Sequence, residues 1–352
     1  MTPVTRLLAP LAWVFGAAVT VRRVLYRIGV LPVAKAGVPV IVVGNITLGG
    51  SGKTPLVLWI VHYLATAGWR PGIVSRGYGG SIAARGAPPA EVSIGSDAAE
   101  VGDEPLMLAR RTQCPVWVGA DRAAVALALR VQHPQCDVLV LDDGLQHYGL
   151  ARDVEIAVLD ARGLGNGRLF PAGPLREPAA RLASVDAVVH TIEVGAPRNA
   201  ASRSGRPDAP AAFSMWLAGE RFERLAEPGR MLERAALGSA RVHAVAGIGN
   251  PARFFAHLSS LGLEVVPHPF PDHHRFTPAD LAFDDGLPIV MTEKDAVKCR
   301  GLAMHARGRE SPNALWVLPV SAQLDPAFGP LLESKLARAH AVAAQFNPNS
   351  PR

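Results

Sequence analysis

Cysteine is scarce: three in 352 residues, at Cys114, Cys136 and Cys299, with no C-x-x-C pair. That excludes a disulfide framework and a cysteine zinc site, and it suits a reducing compartment. Aromatic residues make up 6% and fall into no RNP-type signature. Zinc-finger and basic-zipper patterns are also missing, so a sequence-specific nucleic-acid module is excluded. Charged residues are few, at 19%, but apolar residues reach 49%, which excludes a wholly disordered chain. The 34 glycines and 30 prolines follow no triplet period, so the chain is no collagen-like rod. Acidic residues are the minority, 30 against 36 basic, leaving a net charge of +6. A basic balance suits an anionic partner such as a nucleotide or an acidic membrane surface. The arginines are spread along the chain, and most read as solvated surface.

No apolar run reaches eighteen residues. Near the start of the chain, the stretch of fifteen residues between Arg6 and Arg22 carries no charge and includes Trp13 and Phe15. As a helix it is about 22 Å long, short against a hydrocarbon core of about 30 Å. It suits a helix lying in a membrane interface, with Trp13 at headgroup level and Arg22, Arg23 and Arg27 meeting anionic lipid. A helix buried in the core is the second reading. A cleaved secretory signal or true span is the third, and Arg22-Arg23 directly after the run counts against it.

Length alone suggests about two domains. Brief, mostly β-branched runs at 40–43, 72–74, 116–118, 138–141, 156–159 and 187–189 read as buried strands. Helical stretches at 56–67 and 122–131 lie between them. That alternation predicts an α/β fold with a parallel sheet and crossover helices. A polar, Pro- and Gly-rich stretch at 195–212 reads as a loop. A second α/β set follows, with strands at 242–246, 264–266, 289–291 and 315–318. The expected organisation is an N-terminal apolar anchor helix over 1–35, a P-loop core over 36–212 and a linker over 213–240. A smaller α/β domain over 241–345 and a frayed tail over 346–352 complete it.

The strongest chemical signal is Gly49-Gly50-Ser51-Gly52-Lys53-Thr54, after the strand at 40–43 and before a helical run at 55–67. This strand–glycine loop–helix order is what a P-loop requires. Glycines let backbone N–H groups reach phosphate oxygens, and the helix N-terminus adds partial positive charge. Lys53 supplies a full charge to the terminal phosphates, and Thr54 offers a hydroxyl to Mg²⁺. The strict pattern would place glycine at position 47, where this chain has Thr47, followed by Leu48.

The strand at 138–141 runs into Asp142-Asp143-Gly144. Ligands of a parallel sheet bind beyond the carboxyl ends of its strands, so either aspartate is placed to hold Mg²⁺. Gly102-Asp103-Glu104-Pro105 opens another helix, where capping is the ordinary role of Asp103. Asp272-His273-His274 presents two histidines in a proline-restricted segment, without HExxH spacing. Two further patterns carry less. Gly247-Ile248-Gly249-Asn250-Pro251-Ala252 matches a dinucleotide fingerprint, but a P-loop is already present. Thr292-Glu293-Lys294-Asp295 lacks the spacing of a guanine-specificity motif.

As an ordered set, these motifs resemble the tetraacyldisaccharide 4'-kinases, the lipid A 4'-kinases of Gram-negative bacteria. The resemblance covers nearly the whole chain. It rests on Val43-Gly44-Asn45-Ile46-Thr47 leading into the glycine loop, Ser75-Arg76-Gly77-Tyr78-Gly79, Gly102-Asp103-Glu104-Pro105 and Asp142-Asp143-Gly144-Leu145-Gln146-His147. Pro171-Ala172-Gly173-Pro174-Leu175-Arg176-Glu177-Pro178, Asp272-His273-His274 and Thr292-Glu293-Lys294-Asp295 continue it. The family also has threonine at position 47, and Ser51 stands where its threonine is common.

The resemblance implies transfer of the ATP γ-phosphoryl group to the 4'-hydroxyl of a tetraacyldisaccharide 1-phosphate, giving lipid IVA, with ATP and Mg²⁺ bound. It implies a P-loop core with a smaller α/β domain, working at the cytoplasmic face of the inner membrane. The partners expected are the glycolipid and the membrane surface, with neither nucleic acid nor an obligate protein partner. Residues 47–54 would hold the triphosphate, with Lys53 also catalytic. Thr54, Asp142 and Asp143 would serve the metal, and Asp103 would be the base, assisted by His273. Arg76, Arg176, Glu177 and His274 are candidates for the substrate. The rival class is a soluble P-loop ATPase or GTPase acting as a switch or metallochaperone. A soluble small-molecule kinase is a third reading, under which the N-terminal segment would be superfluous.

Overall fold

Valine and isoleucine dominate the run from Val40 to Gly44, and all five residues are buried. A strand buried on both faces belongs in the middle of a parallel sheet, and this one lies there. The computed structural model describes residues 3–50, 52–84, 86–193, 210–305 and 314–345. Ser51, the tail at 346–352 and all but the margins of the polar stretch at 195–212 lie outside the described residues.

Two helices lead, α1 (Pro3–Leu7) and α2 (Ala9–Arg27). The larger sheet then forms through β1 (Val40–Gly44), α3 (Lys53–Thr66), β2 (Pro71–Ser75), β3 (Ala90–Glu91), α4 (Ala98–Val101) and α5 (Asp103–Arg111). It continues with β4 (Val116–Val118), α6 (Arg122–Gln132), β5 (Val138–Asp142), β6 (Val154–Leu159), β7 (Ala187–Thr191) and β8 (Ala211–Ala218). The smaller sheet holds β9 (Phe222–Arg224), β10 (Met231–Leu232), β11 (Arg241–Ala246), β12 (Glu264–Pro269), β13 (Ile289–Thr292) and β14 (Leu315–Leu318). Helix α7 (Pro251–Ser260) links β11 to β12, and α8 (Glu293–His305) links β13 to β14. Finally β15 (Ser321–Leu324) and α9 (Phe328–Gln345) return to the larger sheet.

The larger sheet runs β15-β8-β7-β6-β1-β5-β2-β4-β3. Its strands from β8 to β4 are parallel, and an antiparallel strand closes each edge. Alternate residues of the central strands go to opposite faces. Ile41 and Val43 pack with Leu56 and Ile60 of α3, while Val40 and Val42 pack with Val125 and Leu129 on the α6 side.

The expected alternation is therefore present, but the chain divides differently from 213 onward. Residues 213–218, expected to belong to a linker, lie in β8 of the larger sheet, and 321–345 return to it instead of staying with the second set. The β8 sequence Ala211-Ala212-Phe213-Ser214-Met215-Trp216-Leu217-Ala218 contains no β-branched residue. Its strand conformation comes from long-range pairing with β7 and β15, not from local propensity. Strand β15 is only four residues long, too short for its alternation to stand out.

Helix α2 docks through Ala12 and Gly16, the two residues of it that are buried. A Cβ at Gly16 would lie 2.6 Å from Leu169 Cδ1, so the helix approaches closely here and a larger residue would require Leu169 to shift. Phe15 meets Phe170 edge to face, and the Arg23 guanidinium donates to Ser184 Oγ at 2.9 Å. Leu7, Leu11, Val14 and Val21 recur at helical spacing on the opposite side and stand exposed, with Trp13 beside them. Among the described residues no helix is long and apolar enough to cross a membrane.

Candidate active site

Strand β1 lies between β5 and β6: the chain leaves β1 toward β2 on the β5 side, and later leaves β5 for β6 on the other side. That is a topological switch point, where ligands of open α/β sheets bind. Beyond β1, Gly49 and Gly52 adopt φ of 98° and 87°, in the left-handed region that favours glycine. A Cβ at Gly52 would also lie 3.1 Å from Thr191 Oγ1. Helix α3 begins at Lys53, and no side chain caps its first turn. Backbone N–H groups and the positive end of the helix dipole are thus presented at the loop.

Asn45, fully buried, ties this loop together. Its Nδ2 donates to Gly49 O at 3.3 Å and Thr47 Oγ1 at 3.4 Å, and its Oδ1 accepts from Lys53 Nζ at 3.3 Å. Arg162 donates to Gly50 O at 3.2 Å. Lys53 also sits 3.5 Å from Asp143 Oδ1.

The two aspartates after β5 have different surroundings. Asp142 pairs in register with Val43 of β1 and is 2% exposed. Its Oδ1 has no hydrogen-bond partner among the described residues. Burial, reinforced by Glu104 and Asp143, pushes its carboxyl up to about 7. Asp143 adopts a left-handed φ of 51°. Arg176 Nη1 donates to both its oxygens, at 3.0 and 3.1 Å. Burial would raise its pKa, but Lys53 and Arg176 outweigh burial and hold it below the usual range.

Asp103 starts α5 on the far side of the same region. Gly102 before it has φ of 90°, and a Cβ there would come within 2.7 Å of Tyr78 O. Only glycine lets the 75–79 loop press against this helix start. Asp103 is 4% exposed and accepts from the Glu104 N–H at 2.9 Å. His273 reaches it from the smaller sheet, with Nδ1 3.1 Å from both Asp103 oxygens. His273 itself has a left-handed φ of 60°, a strain that persists when the surroundings over-determine it. Burial acts to raise the Asp103 carboxyl, yet the His273 bond and the Lys294 and Lys298 charges bring it below its ordinary value. The same bond raises His273.

Between the two sheets lies a cavity of about 1250 Å³. Lys53, Thr54, Asp142 and Asp143 line it from the larger sheet, and His273, Lys294 and Arg253 from the smaller. Phe15, Val19 and Arg22 of α2 line its outer end. Arg76, Arg122 and His147 also face it. Burial first, then Arg122, Arg76 and Arg22, push His147 down to about 3, so its ring is neutral at pH 7. Burial and the neighbouring Arg76 lower Arg122 to about 10, and it stays charged.

The structure thus brings Thr47–Gly50, Gly52–Thr54, Asp142, Asp143, Arg76, Arg176, Asp103 and His273 to one region. Leu48 is exposed at its rim. Glu177 is 1% exposed, accepting from Tyr148 Oη at 2.7 Å and paired with Arg181 at 3.2 Å. His274 turns away from the cavity: its Nε2 meets Asp280 at 3.2 Å and its ring stacks on Phe270. The two neighbouring histidines are therefore divided, His273 toward Asp103 and His274 toward Asp280. Gly249 of the dinucleotide-like loop packs against the glycine loop, where a Cβ would be 3.3 Å from Gly50 N. Its glycine serves that close approach between the two sheets.

Sequence reasoning gave no site role to Asn45, Arg122, His147 or Lys294. An asparagine between the end of β1 and the glycine loop is a readable signal for Asn45. Arg122 follows the N-cap Asp121, which reads as an ordinary helix start.

A family model described as tetraacyldisaccharide-1-P 4'-kinase matches residues 4–337. The chain is similar to the tetraacyldisaccharide 4'-kinase of Azoarcus sp. (strain BH72), 53% identical over 323 residues, covering 92% of this chain and 89% of that protein. It is 50% identical to the enzyme of the same name from Aromatoleum aromaticum over 339 residues, 96% of this chain and 95% of that one. Among solved structures it resembles LpxK from Aquifex aeolicus in complex with ATP, with TM-score 0.75 and 28% identity, over 95% of this chain and 99% of that chain.

Proposed function

From the premise that the chain belongs to the tetraacyldisaccharide-1-P 4'-kinase family, we propose how its own residues carry out the transfer. The reaction moves the γ-phosphoryl group of ATP to the 4'-hydroxyl of a tetraacyldisaccharide 1-phosphate in lipid A biosynthesis. One observation carries the assignment of residues: His273, which lines the cavity together with Lys53, Asp142 and Asp143, is bonded to Asp103 of the larger-sheet half.

Backbone N–H groups of residues 47–54 and the Lys53 ammonium hold the triphosphate. The donor set beside them fits Mg²⁺. It is all oxygen, and a buried carboxylate oxygen of Asp142 has no hydrogen-bond partner among the described residues. Thr54 and Asp142 would hold the ion, while Asp143 is already engaged by Arg176 and Lys53. Once bound, Mg²⁺ neutralises charge on the phosphates. Asp103 accepts the proton of the sugar hydroxyl, and the His273 Nδ1–H steadies the carboxylate during that transfer. Arg76 and Arg176, with Arg122 beside them, face the anionic disaccharide. Glu177 acts through Tyr148 and Arg181 as a support of that wall.

The acyl chains enter from the end lined by α2, whose bare apolar stripe brings the enzyme peripherally to the cytoplasmic face of the inner membrane. Replacing Leu11 and Val14 with aspartate leaves the docked face of α2 intact. It should weaken sedimentation with anionic vesicles by roughly tenfold or more, since each buried side chain contributes about 1.5–3 kcal/mol. Unchanged sedimentation would remove the helix from membrane binding.

The reaction itself is tested with γ-labelled ATP and the disaccharide lipid in detergent, followed by thin-layer chromatography. Label should move to the lipid. Release of free phosphate with no labelled lipid would instead support a hydrolytic switch.

A further inference from the structure

The Thr292-Glu293-Lys294-Asp295 motif is unused by this mechanism, yet it lies where the two sheets meet. It sits at the β13–α8 junction, packed against α5. Glu293 receives Arg111 Nη1 on both oxygens at 2.6 Å, and Asp295 accepts from Gly247 N–H at 3.0 Å and Thr292 Oγ1 at 2.6 Å. These contacts fix the first turn of α8 and leave Lys294 aimed between the sheets. Its ammonium donates to Glu104 Oε1 at 2.9 Å and Asp272 Oδ1 at 3.0 Å. The third N–H faces His273 Nε2 at 3.4 Å.

We propose that Lys294 is a positioning residue of the kinase, which by occupying His273 Nε2 fixes the proton on Nδ1 and leaves Asp103 as the group that receives the hydroxyl proton. This rests on the assignment of Asp103 as base. An ammonium has donors and no acceptor, so the nitrogen facing it must offer a lone pair. The imidazole proton is then on Nδ1, where both Asp103 oxygens await it. A neutral ring so held cannot take a second proton at Nε2 without losing that bond beside a positive charge. Lys294 also grips Glu104 and Asp272, the sequence neighbours of both partners, so it sets their spacing.

The groups facing the pair carry both signs. From α8 come Lys294 and Lys298, the latter 3.9 Å from Asp103; from α5 comes Glu104; Asp272 belongs to the histidine's own loop, and the Tyr78 ring lies 4.9 Å from the imidazole. The Asp103 bond raises His273, and the Lys294 charge opposes that rise. Lys294 also helps lower Asp103. Removing the charge therefore raises both groups, so the protonated, inactive forms persist to higher pH.

The test compares pH profiles of kcat/KM for the wild type, Lys294→Met, Lys294→Arg, His273→Ala and the Lys294→Met/His273→Ala double variant. Lys294→Met should move the acid limb upward by about one pH unit and lower kcat with little change in KM for ATP. Lys294→Arg should keep the limb near its wild-type place, and the shift should shrink in the double variant. An unmoved limb in Lys294→Met, or Arg behaving as Met does, would overturn the proposal and leave Lys294 a strut. Side-chain ¹⁵N shifts of His273 in the wild-type protein need no variant to fold. They should report the Nδ1–H tautomer, and an Nε2–H ring would overturn the proposal as well. If Asp103→Asn stays active, the base assignment falls. If it is inactive while the Lys294→Met limb is unmoved, only the role of Lys294 falls.

Discussion

Asp103→Asn should lower kcat by roughly 10²–10⁴, the range for loss of a general base, while KM for ATP changes little. Asparagine has nearly the shape of aspartate. Its Oδ1 still accepts from the Glu104 N–H, so the start of α5 is kept, and it still faces His273 Nδ1. What is lost is the negative charge and the lone pair that would take the hydroxyl proton. The thermal midpoint of the variant should lie near that of the wild type, which separates chemistry from folding. Turnover within a few-fold of wild type would remove Asp103 from the reaction.

Lys53→Ala should reduce kcat/KM by roughly 10²–10³ or more, the range for losing one preorganised donor to transition-state charge. Two things go together in this variant. The phosphates lose the one cation rooted in the first turn of α3, and Asp143 loses its ion pair with Lys53 while keeping that with Arg176. The side chain is partly buried, so no mobile lysine from the surface replaces it. Transfer at wild-type rate in Lys53→Ala would count against the whole cradle.

Much of this site is written locally in the chain. The order strand, glycine loop, Lys53-Thr54, helix needs only consecutive residues, and so does the run of β5 into Asp142-Asp143. Central strands announce themselves because burial on both faces demands uninterrupted Val, Ile and Leu. What escapes is everything made by distant segments. Strand β8 is alanine-rich and owes its place to β7 and β15. Glu293 finds Arg111 across 182 positions, and Lys294 finds Glu104 across 190. No periodicity encodes such pairs. Likewise the letters His273-His274 cannot say which ring meets Asp103; only the packing of the smaller sheet against α5 does so, with His273 at Asp103 and His274 at Asp280.

The chain leaves the larger sheet after β8 and re-enters it as β15, and these two strands are hydrogen-bonded neighbours, with Ala218 opposite Ser321. The whole smaller sheet is thus hung from one edge by two adjacent threads, like a door on a single jamb. The crossing is tight: a Cβ at Gly219 would come within 2.3 Å of Pro319 O. Arg111, Glu293 and the Val320 N–H meet beside the jamb. Asp103 stands at the other end of α5, about 12 Å further along the helix axis. Any rotation about the jamb would therefore be felt most at the latch, where His273 engages Asp103.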